Sequence, residues 1–146
     1  MALAERTAQI KWNGTLADGS GHVRGGGGAL ADVPVDWASR SERAHGTTSP
    51  EELLAAAHAS CYAMALTLLL ARDGVKAQTL DVEATCSLEE QGEWYRIASI
   101  DLAVRGHVPD LSAERFEDAA READACCPIS VALRDSVEIR LTATLE

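Results

Sequence analysis

Residues 49–61 read Ser49-Pro50-Glu51-Glu52-Leu53-Leu54-Ala55-Ala56-Ala57-His58-Ala59-Ser60-Cys61, and this stretch decides the fold. Ser49 is a good N-cap, Pro50 suits the first helical position, and Glu52 stands where it closes a capping box. Apolar side chains continue through residue 71, with His58, Ser60 and Thr67 as the polar exceptions. Leu53, Ala57, Cys61, Met64 and Leu68 recur at helical spacing, which predicts a buried stripe carrying Cys61. Gly74 is a natural stop. The run is nearly long enough to cross a bilayer. Its alanine, histidine and cysteine content, and the amphipathic strands that follow, favour the central helix of a soluble core.

Upstream, the pattern is one of strands and turns. Gln9-Ile10-Lys11-Trp12 is a short strand ending at the turn signal Asn13-Gly14. The glycine tract 25–28 is a loop rather than a phosphate cradle, because no helix start follows it. Val33-Pro34-Val35-Asp36-Trp37 alternates, and its proline predicts a sheet edge. Residues 40–48 form a polar connection.

Downstream, Leu80, Val82, Ala84 and Cys86 alternate with polar residues and, after the Glu90-Gln91-Gly92 turn, so do Ala98, Ile100, Leu102 and Val104. Cys86 is therefore a core residue. Ser112 caps a second helix to about residue 125, with Leu111 and Phe116 as a hydrophobic staple. Pro128 breaks it and opens a short third helix. Val137, Ile139, Leu141, Ala143 and Leu145 form a last half-buried strand. The order predicts an α+β fold with mainly antiparallel strands, and the length suits a single domain over residues 1–146.

The chain is 47% hydrophobic but only 4% aromatic, with a net charge of −10. Phosphate binding needs clustered Lys and Arg, so nucleic acid is excluded as a partner, and anionic membrane surfaces likewise. The N-terminal stretch lacks an apolar run suited to a signal peptide, which predicts a cytoplasmic protein. In that compartment a disulfide is catalytic or redox-sensing rather than structural.

Two thiols stand out. With Pro128 at the first position of its helix, Cys127 is the N-cap, and its sulfur is expected to face unpaired N–H groups and the positive end of the dipole. Cys61 lies nearly three turns into its own helix, beyond reach of that helix's dipole. To act as a nucleophile it needs another cation to lower a free value of about 8.5. Arg40 and Arg43 are the candidates, held by an acid such as Glu51. His58, one turn before Cys61, is a rival activator. It reads better as a hydrogen-bonded structural residue. His58, Cys61, Cys126 and Cys127 could be assembled into a zinc site, but there is no Cys-x-x-Cys pair and adjacent cysteines rarely share an ion.

Residues 46–66, Gly-Thr-Thr-Ser-Pro-Glu-Glu-Leu-Leu-Ala-Ala-Ala-His-Ala-Ser-Cys-Tyr-Ala-Met-Ala-Leu, resemble the first active-site motif of the OsmC/Ohr family of thiol peroxidases. Ala125-Cys126-Cys127-Pro128-Ile129-Ser130 resembles the second. The resemblance spans essentially the whole chain, and His58 with the Glu-Glu-Leu run suits the OsmC branch. It implies the OsmC-like fold around a long apolar central helix, as an intertwined homodimer whose active sites draw on both subunits. It implies Cys61 as peroxidatic and Cys127 as resolving cysteine. Arg40 matches the activating arginine and Glu51 the acid that orients it. The segment between Arg40 and Gly46 is one residue longer than the family pattern, and Arg43 competes for the role. Cys126 is an extra thiol.

The resemblance thus implies an oxidoreductase of oxidative and osmotic stress that reduces organic hydroperoxides. Cys61 would become a sulfenic acid, condense with Cys127 to a disulfide, and be recycled by an external dithiol such as one of lipoyl type, with no metal or other cofactor. The rivals are a redox sensor, a ligand- or metal-binding stress protein sharing the fold, and a purely structural protein.

Overall fold

The computed structural model describes residues 1–42 and 45–146. Its contacts fall into two compact units, Met1–Leu53 and Leu54–Glu146.

The first unit holds an antiparallel sheet in the order β1 (Ala8–Asn13), β2 (Ser20–Gly25), β3 (Val33–Asp36). Gly14 turns the chain after β1 at φ +91°, a left-handed conformation that costs glycine little. Pro34 lies on an edge strand as expected, where a missing N–H breaks no ladder. Trp37, expected in the strand, and residues 40–41, expected in the polar connection, depart from those readings. Residues 37–41 form a helical turn, α1 (Trp37–Ser41), because the Asp36 carboxylate accepts the Ser39 N–H at 2.8 Å and caps it. The hydroxyl of Thr47 also reaches Asp36, tying the chain beyond α1 back to its start.

Helix α2 (Pro50–Arg72) begins as the sequence indicates, with the Ser49 hydroxyl accepting the Glu52 N–H at 3.2 Å. The Glu52 carboxylate takes the Thr48 hydroxyl. Gly74, at φ +73°, ends the helix, and the Val75 N–H returns to the Leu70 carbonyl in a Schellman-type closure. By length and composition α2 could cross a bilayer.

In the second unit β4 (Thr79–Gln91) and β5 (Trp94–His107) form the antiparallel hairpin, with an irregularity at Ser87/Leu88. α3 (Ala113–Cys126), capped by Ser112, and α4 (Pro128–Leu133) then carry the chain across to β6 (Glu138–Leu145). That crossover makes β6 run parallel to β5, from Ser99↔Glu138 to Gly106↔Leu145. The unit's core joins Tyr62, Leu66, Leu69 and Leu70 of α2 to Ile100, Leu102 and Val104 of β5 and to Phe116, Ala120 and Ala123 of α3. The fold is α+β: β1–β2, β2–β3 and β4–β5 pair antiparallel and β5–β6 pair parallel.

The expected buried stripe on α2 is corrected. Met64 is 72% and Leu68 54% exposed, whereas His58, Tyr62 and Leu66 are fully buried. A helix apolar on every side gives no amphipathic signal to choose its inward face. Cys61 lies at the border of the buried face, half-buried.

Candidate active site

The chemistry of the second unit centres on the junction of α3 and α4. Cys127 ends one helix and begins the next: its N–H donates to the Ala123 carbonyl, and its own carbonyl accepts from Val131. Pro128 fits at the first position of α4 because its missing N–H would have had no partner there. This double duty fixes the Cys127 backbone and holds its side chain in the core, with no exposure to solvent.

The structure brings the two predicted thiols together. Cys61 is in hydrogen-bonding contact with Cys127 and also accepts from the Ile129 N–H. The expectation for Cys127 as a capping sulfur is corrected, since its side chain makes no capping hydrogen bond. The free N–H at the start of α4 serves Cys61 instead. Burial nevertheless pushes the Cys61 thiol above its ordinary range; the Ile129 N–H pulls it down, and the adjacent Cys127 pushes it further up. The balance within this unit favours a neutral thiol.

His58 is fully buried, and its Nε2 lies 2.7 Å from the Ser130 hydroxyl. Its Nδ1 has no partner among the described residues. Burial lowers its pKa, with the Asp124 charge opposing. The Tyr62 hydroxyl donates to the Ala120 carbonyl at 3.0 Å, tying α2 to α3. Cys126 is exposed, with its sulfur 3.6 Å from the Ala123 carbonyl. Cys86 packs half-buried against the core. Among the described residues no group of three or more His, Cys, Asp or Glu side chains is placed to hold a metal ion.

In the first unit Arg40 and Glu51 form an ion pair, Nε to Oε1 at 2.9 Å. Glu51 is buried, and its Oε2 has no partner among the described residues. The Arg40 guanidinium also lies over the Trp37 ring, 5.8 Å from its centroid. The competing Arg43 lies outside the described residues.

Sequence reasoning missed the Ile129 N–H and the Ser130 hydroxyl. The first was within reach: a proline opening a helix leaves the next N–H without an intrahelical acceptor. The second had no signal, because nothing in the spacing relates Ser130 to His58.

A family model described as OsmC-like protein matches residues 43–142. Over 134 residues the chain is 34% identical to Peroxiredoxin OsmC of Escherichia coli (strain K12), covering 92% of this chain and 93% of that protein. It is 31% identical over 112 residues to the organic hydroperoxide resistance protein OhrA of Bacillus subtilis (strain 168), covering 75% and 77%. The crystal structure of OhrB from Bacillus subtilis superposes with a TM-score of 0.71 at 27% identity, over 96% of this chain and 98% of that one. With its two motif cysteines in contact in that fold, the chain belongs to the OsmC-like family.

Proposed function

We propose that this protein is a thiol peroxidase that reduces organic hydroperoxides to alcohols. The observation that carries this reading is the contact between Cys61 and Cys127, two thiols far apart in sequence and neighbours in the fold. The names of the relatives, a peroxiredoxin and organic hydroperoxide resistance proteins, support a peroxidase role and a hydroperoxide substrate.

In this mechanism the Cys61 thiolate attacks the peroxide oxygen, the alcohol leaves, and Cys61 becomes a sulfenic acid. Cys127 condenses with it, releasing water and forming the disulfide. An external dithiol reduces that bond by exchange. Because burial disfavours the Cys61 thiolate, a cation is needed at the sulfur. We assign this role to Arg40, aimed by Glu51, whose paired oxygen holds the guanidinium through Nε and leaves its terminal nitrogens for an anion. No metal or other cofactor enters the scheme. Residues 1–146 act as one OsmC-like domain in a cytoplasmic homodimer, and the exposed Met64 and Leu68 of α2 are the apolar surface we expect the partner subunit to cover.

Multiple-turnover reduction of cumene hydroperoxide with a dithiol recycler tests this reading. Turnover that is lost in Cys61→Ser and stalls after one equivalent in Cys127→Ser supports it. Undiminished turnover in Cys61→Ser sinks it. A redox sensor is the second reading, favoured by the raised Cys61 pKa. It predicts stoichiometric oxidation with negligible recycling.

A further inference from the structure

Among the described residues, three polar contacts join α2 to the start of α4, and two of them involve the Cys61 sulfur. The third is the hydrogen bond between His58 and Ser130, whose side chains are both fully excluded from solvent. His58 stands one turn before Cys61 on α2, and Ser130 one turn after Cys127 at the start of α4. The bond therefore runs beside the Cys61–Cys127 contact and spans the same two helices. Helix α4 has only six residues, too few to hold its place by its own hydrogen bonds. Its position against α2 depends on side-chain ties. His58 has a single hydrogen bond, since its Nδ1 lacks a partner among the described residues, so Ser130 is the one polar group that holds the ring there.

We propose that the His58–Ser130 hydrogen bond is a positioning clamp that keeps Cys127 beside Cys61 and so decides the fate of the Cys61 sulfenic acid. This rests on the peroxidase reading above. Two reactions compete for that intermediate. In one, Cys61–SOH and Cys127–SH form the disulfide and release water. In the other, Cys61–SOH and a second hydroperoxide form the sulfinic acid, Cys61–SO2H, and an alcohol. The first is intramolecular, and its advantage depends on sulfur placement: a displacement of about 1 Å costs on the order of 100-fold. The second needs only access to Cys61. Loosening α4 slows the first and spares the second. His58 and Ser130 are positioning residues, without contact to peroxide in this scheme.

The test uses full-length protein exposed to one, five and twenty equivalents of cumene hydroperoxide without reductant, with mass spectrometry counting Cys61–Cys127 disulfide against Cys61 sulfinic acid. Wild type is expected to end as disulfide at every dose. Ser130→Ala is expected to raise the sulfinic share at least about tenfold at the highest dose, given the sensitivity of intramolecular reactions to placement. Consumption of the first peroxide equivalent should stay close to the wild-type rate. Ser130→Thr, which keeps the hydroxyl, is expected to restore the wild-type partition; a merely space-filling role for Ser130 predicts no such rescue. His58→Phe, which keeps a flat ring without the hydrogen bond, is the second probe if Ser130→Ala does not fold. A folded Ser130→Ala or His58→Phe protein with the wild-type partition overturns the clamp. Absence of the disulfide in wild type overturns the peroxidase reading itself, and the clamp with it.

Discussion

Nε of Arg40 donates to Oε1 of Glu51 across 2.9 Å, and the other carboxylate oxygen of Glu51 is buried with no partner among the described residues. A buried carboxylate with a single ionic tie depends on that tie, and the guanidinium it holds is oriented rather than free. Arg40→Met is therefore expected to lower kcat/KM for organic hydroperoxides by about 100-fold, the usual cost of one preorganised electrostatic group. Glu51→Gln keeps an acceptor for Nε but not the charge, and is expected to fall between Arg40→Met and wild type. Steady-state kinetics with tert-butyl hydroperoxide reads both. Activity in Arg40→Met equal to wild type transfers the role to another cation, Arg43 first.

The Cys61 thiol offers a separate check. Its surroundings in the second unit raise its pKa, burial being the largest cause. A catalytic thiolate therefore has to be drawn down by a cation. The rate of Cys61 alkylation by iodoacetamide against pH is expected to rise at lower pH in wild type than in Arg40→Met. Coincident profiles exclude Arg40 as the activating group.

Gly106 shows how packing fixes a residue with no visible motif. A Cβ at this strand position would lie 2.5 Å from two ring carbons of Phe116 and 3.2 Å from Leu80. Phe116 is fully buried, so the ring has nowhere to retreat. Gly106→Ala is expected to destabilise by about 1–3 kcal/mol, the usual range for overpacking, measured by urea denaturation. Phe116→Leu in the same chain should recover part of that loss and give a positive coupling in a double-mutant cycle.

Local signals account for what the sequence made legible. The hydroxyl of Ser49, the ring of Pro50 and the freedom of Gly74 each act within a few residues of themselves, so α2 could be placed from them. Alternation along Leu80–Cys86 likewise reports a half-buried strand. Three features escaped. Asp36 caps α1, but the alternating run before it made residues 33–37 read as strand throughout. The inward face of α2 was misread because Met64 and Leu68 are as apolar as Tyr62 and Leu66, and composition cannot rank equals. The donor to Cys61 is the backbone of Ile129, a group every residue but proline carries. The meeting of Cys61 with Cys127 followed from family resemblance; spacing alone left the two unconnected.

Cys126 tests whether the extra thiol matters. It is exposed, and its neighbour Cys127 is buried, so adjacent cysteines face different surroundings. Cys126→Ser is expected to leave stability within about 0.5 kcal/mol, as for ordinary surface changes, and to leave the Cys61–Cys127 disulfide as the product. A peptide map in which wild type links Cys126 to Cys61 contradicts this.

His58 links stability to pH, and the sign follows from its surroundings. Among the described residues the polar groups acting on it are the Ser130 hydroxyl, which bonds Nε2, and the Asp124 carboxylate, whose charge favours the imidazolium. Burial outweighs that charge and lowers the folded-state pKa below the ordinary value of 6.5. The unfolded chain then binds a proton more readily than the folded one between the two values. The contribution is fully present above pH 6.5 and is lost as pH falls through the window beneath it. Urea midpoints measured from pH 7.5 down to 5.0 are expected to decline in wild type. His58→Phe, which has no proton to take up, should decline less over the same range. Parallel declines in the two proteins would place the acid sensitivity elsewhere in the chain.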